Sequence, residues 1–204
     1  MEPVDLHVLV SPDWPAALLD RALASTAGAP CQVWLAPWLG EGEGASRAAA
    51  YRLGQAPYVA WLDADDELIP GGMAALVAAL EARPDACGAY GGEERVYAGG
   101  RLERAMDERW DPIAQLCLAS GQHNAVVMRR QAVLPWLGEL SAFTPRSNRL
   151  LRGLVTASGP WVCVPVLAYR WYRDRPCSLG AAPTPALDRS ITRRLAPLLC
   201  RLDR

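Results

Sequence analysis

The chain has 204 residues, is 51% hydrophobic and carries a formal charge of −1 at pH 7. That is enough apolar material for one sizeable core and too little for two full domains. The near-neutral balance excludes a generic polyanion binder, although all 21 basic residues are arginine, the better fork for phosphates. The start, Met1-Glu2-Pro3-Val4-Asp5-Leu6, lacks the basic and apolar regions of a signal peptide. No uncharged apolar run approaches the roughly 18 residues of a transmembrane helix. A cytoplasmic location is therefore expected. Six cysteines (31, 87, 117, 163, 177 and 200) form no CxxC pair, and His7 and His123 are the only histidines, so no zinc site is expected.

The first half alternates strand and helix patterns. Leu6 to Val10 reads as a strand, with Ser11-Pro12-Asp13 as its exit and the cap of a helix. Residues 14–27 place Trp14, Leu18 and Ala22 near helical spacing, and 31–36 form a second short strand. Gly40-Glu41-Gly42-Glu43-Gly44 reads as a flexible loop before a helix over 46–53. A strand over 58–62 then runs into an acidic turn. Pro70-Gly71-Gly72 opens a helix carrying Met73, Leu76, Val77 and Leu80, which stops before Pro84, and 86–90 is another strand. Repeated strand and helix with short connections predicts an α/β fold with a mostly parallel sheet covered on both faces.

The second half is less regular. Residues 94–102 read as a hairpin or edge strand carrying Tyr97, with Gly99-Gly100 as its turn. Residues 112–118 look helical, 125–128 form a strand entering Arg129-Arg130, 148–157 are helical and 161–167 extended. From Ala186 onward, Leu187, Ile191, Leu195, Leu198 and Leu202 share one helical face. Arg189, Arg193, Arg194 and Arg201 lie largely elsewhere, so this helix either packs on the core or a second copy, or meets an anionic membrane or nucleic acid, with packing preferred. One domain over 1–204 is expected, with halves of about 1–98 and 99–180 and a C-terminal helix over about 186–202.

The chemistry concentrates in Tyr58-Val59-Ala60-Trp61-Leu62-Asp63-Ala64-Asp65-Asp66-Glu67. A buried strand that releases carboxylates at its C-terminal end presents them at a cleft. In extended chain, positions i and i+2 point the same way, so Asp63 and Asp65 can face one divalent cation. Two protein ligands suit Mg2+ or Mn2+ carried in with a diphosphate. The alternative is that Asp65, Asp66 and Glu67 cap the next helix and stay solvated.

The stretch from Ser46 through Tyr51-Arg52-Leu53-Gly54 to Asp63-Ala64-Asp65-Asp66 resembles the core of the family 2 inverting glycosyltransferases of GT-A fold. There a helix leads into a strand ending in an Asp-x-Asp motif. Leu68-Ile69-Pro70-Gly71-Gly72-Met73, Val126-Val127-Met128-Arg129-Arg130 and Tyr169-Arg170-Trp171-Tyr172-Arg173-Asp174-Arg175-Pro176-Cys177-Ser178 look like later blocks of that family, so the likeness covers roughly 4–180. It implies a GT-A-like fold and a metal-dependent inverting transfer from a nucleoside diphosphate sugar to a hydroxyl acceptor. By that likeness Asp65 binds Mn2+ or Mg2+, Asp63 lies near the ribose or base, and Val10-Ser11-Pro12-Asp13 borders the nucleotide. Arg170, Arg173 and Arg175 would assist the leaving diphosphate through charge-assisted hydrogen bonds, Arg175 standing where the family often has histidine.

Three departures qualify the likeness. The second strand ends in Ala36-Pro37-Trp38 without a base-reading Asp, which leaves Trp34 or Trp38 to stack on the base or to pack. Ala48 stands where the family has Asn. The segment Thr144-Pro145-Arg146-Ser147-Asn148 lacks the acidic pair that supplies the general base inverting transfer needs. Glu139, Glu93, Glu94 and His123 are the candidate substitutes. The competing function is a catalytically degenerate protein that binds nucleotide or a partner, and nucleotidyl transfer is disfavoured because Ser11-Pro12-Asp13-Trp14 is not a Gly-rich phosphate loop. The acceptor is open among a glycan, a lipid-linked glycan, a protein and a modified nucleobase.

Overall fold

The computed structural model describes residues 4–106, 109–113, 124–143, 146–173 and 185–201. Its strands, in chain order, are β1 (Val4–Val10), β2 (Cys31–Pro37), β3 (Tyr58–Asp63), β4 (Glu67–Leu68), β5 (Gly88–Val96), β6 (Leu102–Ala105), β7 (Val126–Arg129) and β8 (Trp161–Tyr172). The helices are α1 (Ala16–Ala24), α2 (Glu43–Ala50), α3 (Gly72–Ala82), α4 (Arg130–Val133), α5 (Leu137–Ser141), α6 (Ser147–Thr156) and α7 (Pro185–Leu195). The strands join one sheet in the order β2-β1-β3-β7-β5-β8-β4, with β6 beside β5.

The expectation of a mostly parallel sheet is corrected. β1 pairs parallel with β2 and β3, and β5 with β8, but β7 lies antiparallel between β3 and β5, and β4 and β6 are also antiparallel to their partners. Apolar runs reveal which strands are buried; direction is set by the connections, and after the β5–β6 hairpin the chain returns to insert β7 the other way.

Residue alternation distributes the core over both faces of the sheet. Leu6, Val8, Ala60 and Leu62 pack with Ala22 of α1 and with Met73, Leu76, Val77 and Leu80 of α3. Val59 and Trp61 point the other way, against Tyr51 just after α2 and Leu151 and Val155 of α6. A smaller cluster joins Leu150 and Leu154 of α6 to Ile191, Leu195 and Leu198, so the C-terminal helix docks its apolar stripe on the body of the protein.

The Arg129-Arg130 pair closes the end of the sheet away from the acidic turn, because Arg129 is in register with Tyr58 at the start of β3. Arg129 donates to the Ala86 and Leu80 carbonyls at 2.7 Å each, satisfying the C-terminal end of α3. Arg130 donates to the Ala56 and Tyr51 carbonyls and pairs with buried Asp5.

Candidate functional site

β3 delivers the acids. The Asp66 N–H donates to the Asp63 carbonyl at 2.9 Å, which turns the chain as the strand ends. Asp63 keeps a quarter of its side chain exposed and accepts a 2.6 Å bond from Arg47 Nη2. Asp65 is largely buried, and its carbonyl accepts from Arg21 Nη2 of α1 at 2.6 Å. Asp66 is internal. Its Oδ1 accepts the Tyr172 N–H and its Oδ2 the Tyr169 hydroxyl, both at 2.9 Å. Burial, reinforced by the charges of Asp63 and Asp65, pushes the Asp66 carboxyl well above the usual carboxylate range.

A lattice of charges buttresses the turn from β8. Arg170 bridges Glu67 and Glu94, at 2.9 Å to each. Glu67 also pairs with Arg21 at 2.8 Å and accepts the Tyr172 hydroxyl at 2.7 Å, while the Arg21 guanidinium lies 4.2 Å from the Tyr172 ring centroid. The Arg170 charge is thus compensated by two carboxylates. Arg173, three positions on, stacks 4.6 Å from the Trp171 ring.

On the opposite side, α2 and α6 meet at a buried ion pair. Glu43 Oε1 accepts from Arg47 Nε at 3.0 Å and from the Ser147 hydroxyl at 2.7 Å, and Oε2 accepts the Arg146 N–H at 2.8 Å. Burial opposes ionisation of Glu43, but Arg47, Ser147 and the Arg146 N–H outweigh it and hold the carboxyl below its usual value. Arg47 therefore links Glu43 to Asp63, its guanidinium 6.0 Å from the buried Trp61 ring. The segment expected to carry an acidic pair instead receives a carboxylate from α2.

The other sequence candidates are dispersed. Ser11 is half-buried and Asp13 exposed just beyond β1. The Trp34 indole N–H donates to Asp5 Oδ1 at 2.7 Å, which ties that ring toward the start of β1, away from the acidic turn. Trp38 packs against Leu9, Ala36 and Ala50. Glu93 is fully buried, bonded to Arg95 at 2.8 Å and to the Asn124 N–H at 3.1 Å. Glu94 faces Arg170 and Arg104. Glu139 is solvent-facing and pairs with Arg194 of α7. His123 and Arg175 fall outside the described residues. Among the described residues no group of three or more His, Cys, Asp or Glu side chains is arranged to hold a metal ion by itself, and no helix is long and apolar enough to cross a membrane.

Arg21, Arg47 and Glu43 were missed by the sequence reading. Glu43 and Arg47 stand four apart, the spacing of a helical ion pair, but Arg21 and Arg47 meet Asp65 and Asp63 from 44 and 16 positions away and Glu43 meets Ser147 from 104, which no local pattern marks.

The sheet and its covering helices are structurally related to the GT-A fold of glycosyltransferases. No family model and no curated protein matches the sequence. Among solved structures, Staphylococcus aureus TarS 1–349 superposes with a TM-score of 0.66 at 10% identity, over 98% of this chain and 65% of that one. The same TarS region in complex with UDP gives 0.64 at 12% identity, covering 98% and 65%, and in complex with UDP-GlcNAc 0.62 at 10%, covering 98% and 66%. This chain thus spans just under two thirds of TarS 1–349.

Proposed function

We propose that this protein transfers a sugar from a nucleoside diphosphate sugar to a hydroxyl acceptor with the help of a divalent cation. The observation that carries the reading is the acidic turn at the end of β3, set within a GT-A-like sheet. Asp63 and Asp65 both push the Asp66 carboxyl upward, so the acids of the turn stand close enough to repel one another, a repulsion that a cation at Asp63 and Asp65 would relieve. Asp65, with Asp63, would hold Mn2+ or Mg2+. Bound there, the ion would supply charge neutralisation for the departing diphosphate. The chain's own groups do the positioning: Arg47 holds the Asp63 carboxylate and Arg21 the Asp65 carbonyl. The complexes of TarS with UDP and UDP-GlcNAc make uridine nucleotides the first donors to test.

The test is release of nucleoside diphosphate from a donor panel with Mn2+, comparing wild type with Asp65→Ala. Metal-dependent release should fall at least about a hundredfold in the variant, the scale of losing a principal electrostatic contribution. Unchanged turnover would remove Asp65 from the metal site.

A second reading, nucleotide binding without turnover, is favoured by the start of α6. There Arg146 and Ser147 replace the expected acids, and Glu43 is committed to Arg47, Ser147 and the Arg146 N–H. Nucleotide affinity with no release against a broad acceptor library would support that reading, and demonstrated transfer would eliminate it.

A further inference from the structure

Beyond the acidic turn, β5 and β8 continue in parallel, with Arg95 in register with Trp171 and Val96 with Tyr172. Alternation puts Arg95, Tyr97, Trp171 and Arg173 on one face of this pair. Their side chains interleave as a ladder. The Arg101 guanidinium lies 3.7 Å from the Tyr97 ring centroid, and Arg173 lies 5.4 Å from that ring and 4.6 Å from Trp171. Arg95 approaches the same indole at 6.0 Å. Two rungs are already compensated: Glu93 pairs with Arg95 at 2.8 Å, and Glu103 lies 3.5 Å from Arg95 and 3.9 Å from Arg101. Arg173 differs. No described carboxylate lies within ion-pair distance of it, and its guanidinium reaches the Tyr97 hydroxyl at 3.4 Å.

We infer that this ladder, with Arg173 at its centre, binds the anionic groups of an acidic glycan that serves as acceptor. The inference rests on the transferase reading and names its acceptor class. Contact with two rings restrains the guanidinium, and the N–H groups not directed at the Tyr97 hydroxyl would bond an oxyanion, the carboxylate or phosphate of a charged sugar chain. The location suits an acceptor, because the Tyr172 N–H between Trp171 and Arg173 is bonded to Asp66 of the acidic turn. A nucleic acid fits less well. Each ring already carries a guanidinium that competes with base stacking, and Glu93 and Glu103 interrupt the positive charge.

The experiment measures equilibrium binding of the full chain to oligogalacturonate and to its neutral methyl ester of equal length. A phosphorylated mannan and its dephosphorylated form make a second pair that separates phosphate from carboxylate. Oligothymidylate and phosphatidylglycerol vesicles serve as the competing anions, and UDP with Mn2+ is measured in parallel. Wild type should prefer at least one acidic glycan over its neutral counterpart by about tenfold or more, the scale of a charge-assisted contact. Arg173→Ala should abolish that preference, Arg173→Lys should recover part of it, and Tyr97→Ala should weaken it while leaving UDP affinity unchanged. Circular dichroism confirms that each variant folds. Equal affinity for charged and neutral chains overturns the inference, as does preference for oligothymidylate or vesicles. Loss of UDP affinity rather than glycan affinity in Arg173→Ala would instead make Arg173 a diphosphate ligand. Acidic-glycan binding by a wild type that binds no nucleotide would sink the transferase reading and spare the ladder.

Discussion

Asp66 follows Asp65 in the chain, yet the two acids face different tasks. Asp66 is 1% exposed, both its oxygens accept hydrogen bonds, and its carboxyl is held toward the neutral form by burial and by Asp63 and Asp65. Asp66→Asn keeps an acceptor for the Tyr172 N–H but sets an amide NH2 against the Tyr169 hydroxyl, which loses its acceptor while its oxygen already takes the Asp63 N–H. It should therefore cost about 1 kcal/mol, whereas Asp66→Ala orphans the buried Tyr172 N–H as well as the hydroxyl and should cost about 2–3 kcal/mol. Urea unfolding of the two variants decides this, and equal losses would deny Asp66 its bonding role. The strand end and its acids were legible from sequence because an apolar run stopping in carboxylates is a local signal. Which acid turns inward was not, since Tyr169 and Tyr172 lie more than 100 positions away.

At the scale of elements, the start of α2 shows where pattern reading failed. The glycine-rich stretch looked like a loop preceding a helix at 46, but the helix begins at Glu43. Two contacts explain the earlier start: Ser46 Oγ bonds back to the Leu39 N–H at 2.8 Å and the Gly42 carbonyl at 2.9 Å, and Glu43 anchors on α6. Gly44 is required by proximity. A Cβ there would stand 1.8 Å from the Phe143 carbonyl oxygen and 2.2 Å from that of Leu140. Because both obstacles are backbone, Gly44→Ala must push α2 off α5 and should cost about 1–3 kcal/mol or more. Gly138→Ala, which meets nothing within 4 Å, is the matched control and should be neutral or stabilising. Equal unfolding midpoints for these two variants would contradict the packing. The C-terminal helix was more legible, since 3.6-residue spacing marked Ile191, Leu195 and Leu198 as its apolar face. Leu195 is fully buried against α6, so Leu195→Ala should cost about 2–5 kcal/mol.

Across the whole molecule, the sheet separates the end that carries the acidic turn from the end closed by Arg129 and Arg130, and the latter end carries its own titration. The sequence showed an α/β core but not the mixed direction of its strands, which depends on where β7 re-enters. That re-entry brings Arg130 to Asp5, two positions from His7 in β1. His7 is 2% exposed, its ring nitrogens have no hydrogen-bond partner among the described residues, and its ring meets Tyr51 edge-on at 5.1 Å. Burial lowers its pKa to about 4, against a partial pull upward from Asp5, and Arg130 lowers it further. The sign follows directly. The unfolded chain takes up a proton near pH 6.5 while the folded protein does so only near pH 4, so stability is full above about 6.5 and falls as the pH drops between the two values. The slope approaches about 1.4 kcal/mol per pH unit, a loss of about 3 kcal/mol across that window. Glu43, held low by Arg47 and Ser147, adds its own loss only at lower pH, as the medium falls below the ordinary glutamate range toward its depressed folded value. Urea titrations at closely spaced pH should therefore show wild type losing stability relative to a His7 variant between pH 6.5 and 4, while Asp66, its carboxyl raised by burial, acts in the opposite direction in both proteins. His7→Leu should remove that relative loss and leave the more acidic limb in place. Parallel curves for the two proteins would mean that the acid sensitivity lies elsewhere than His7.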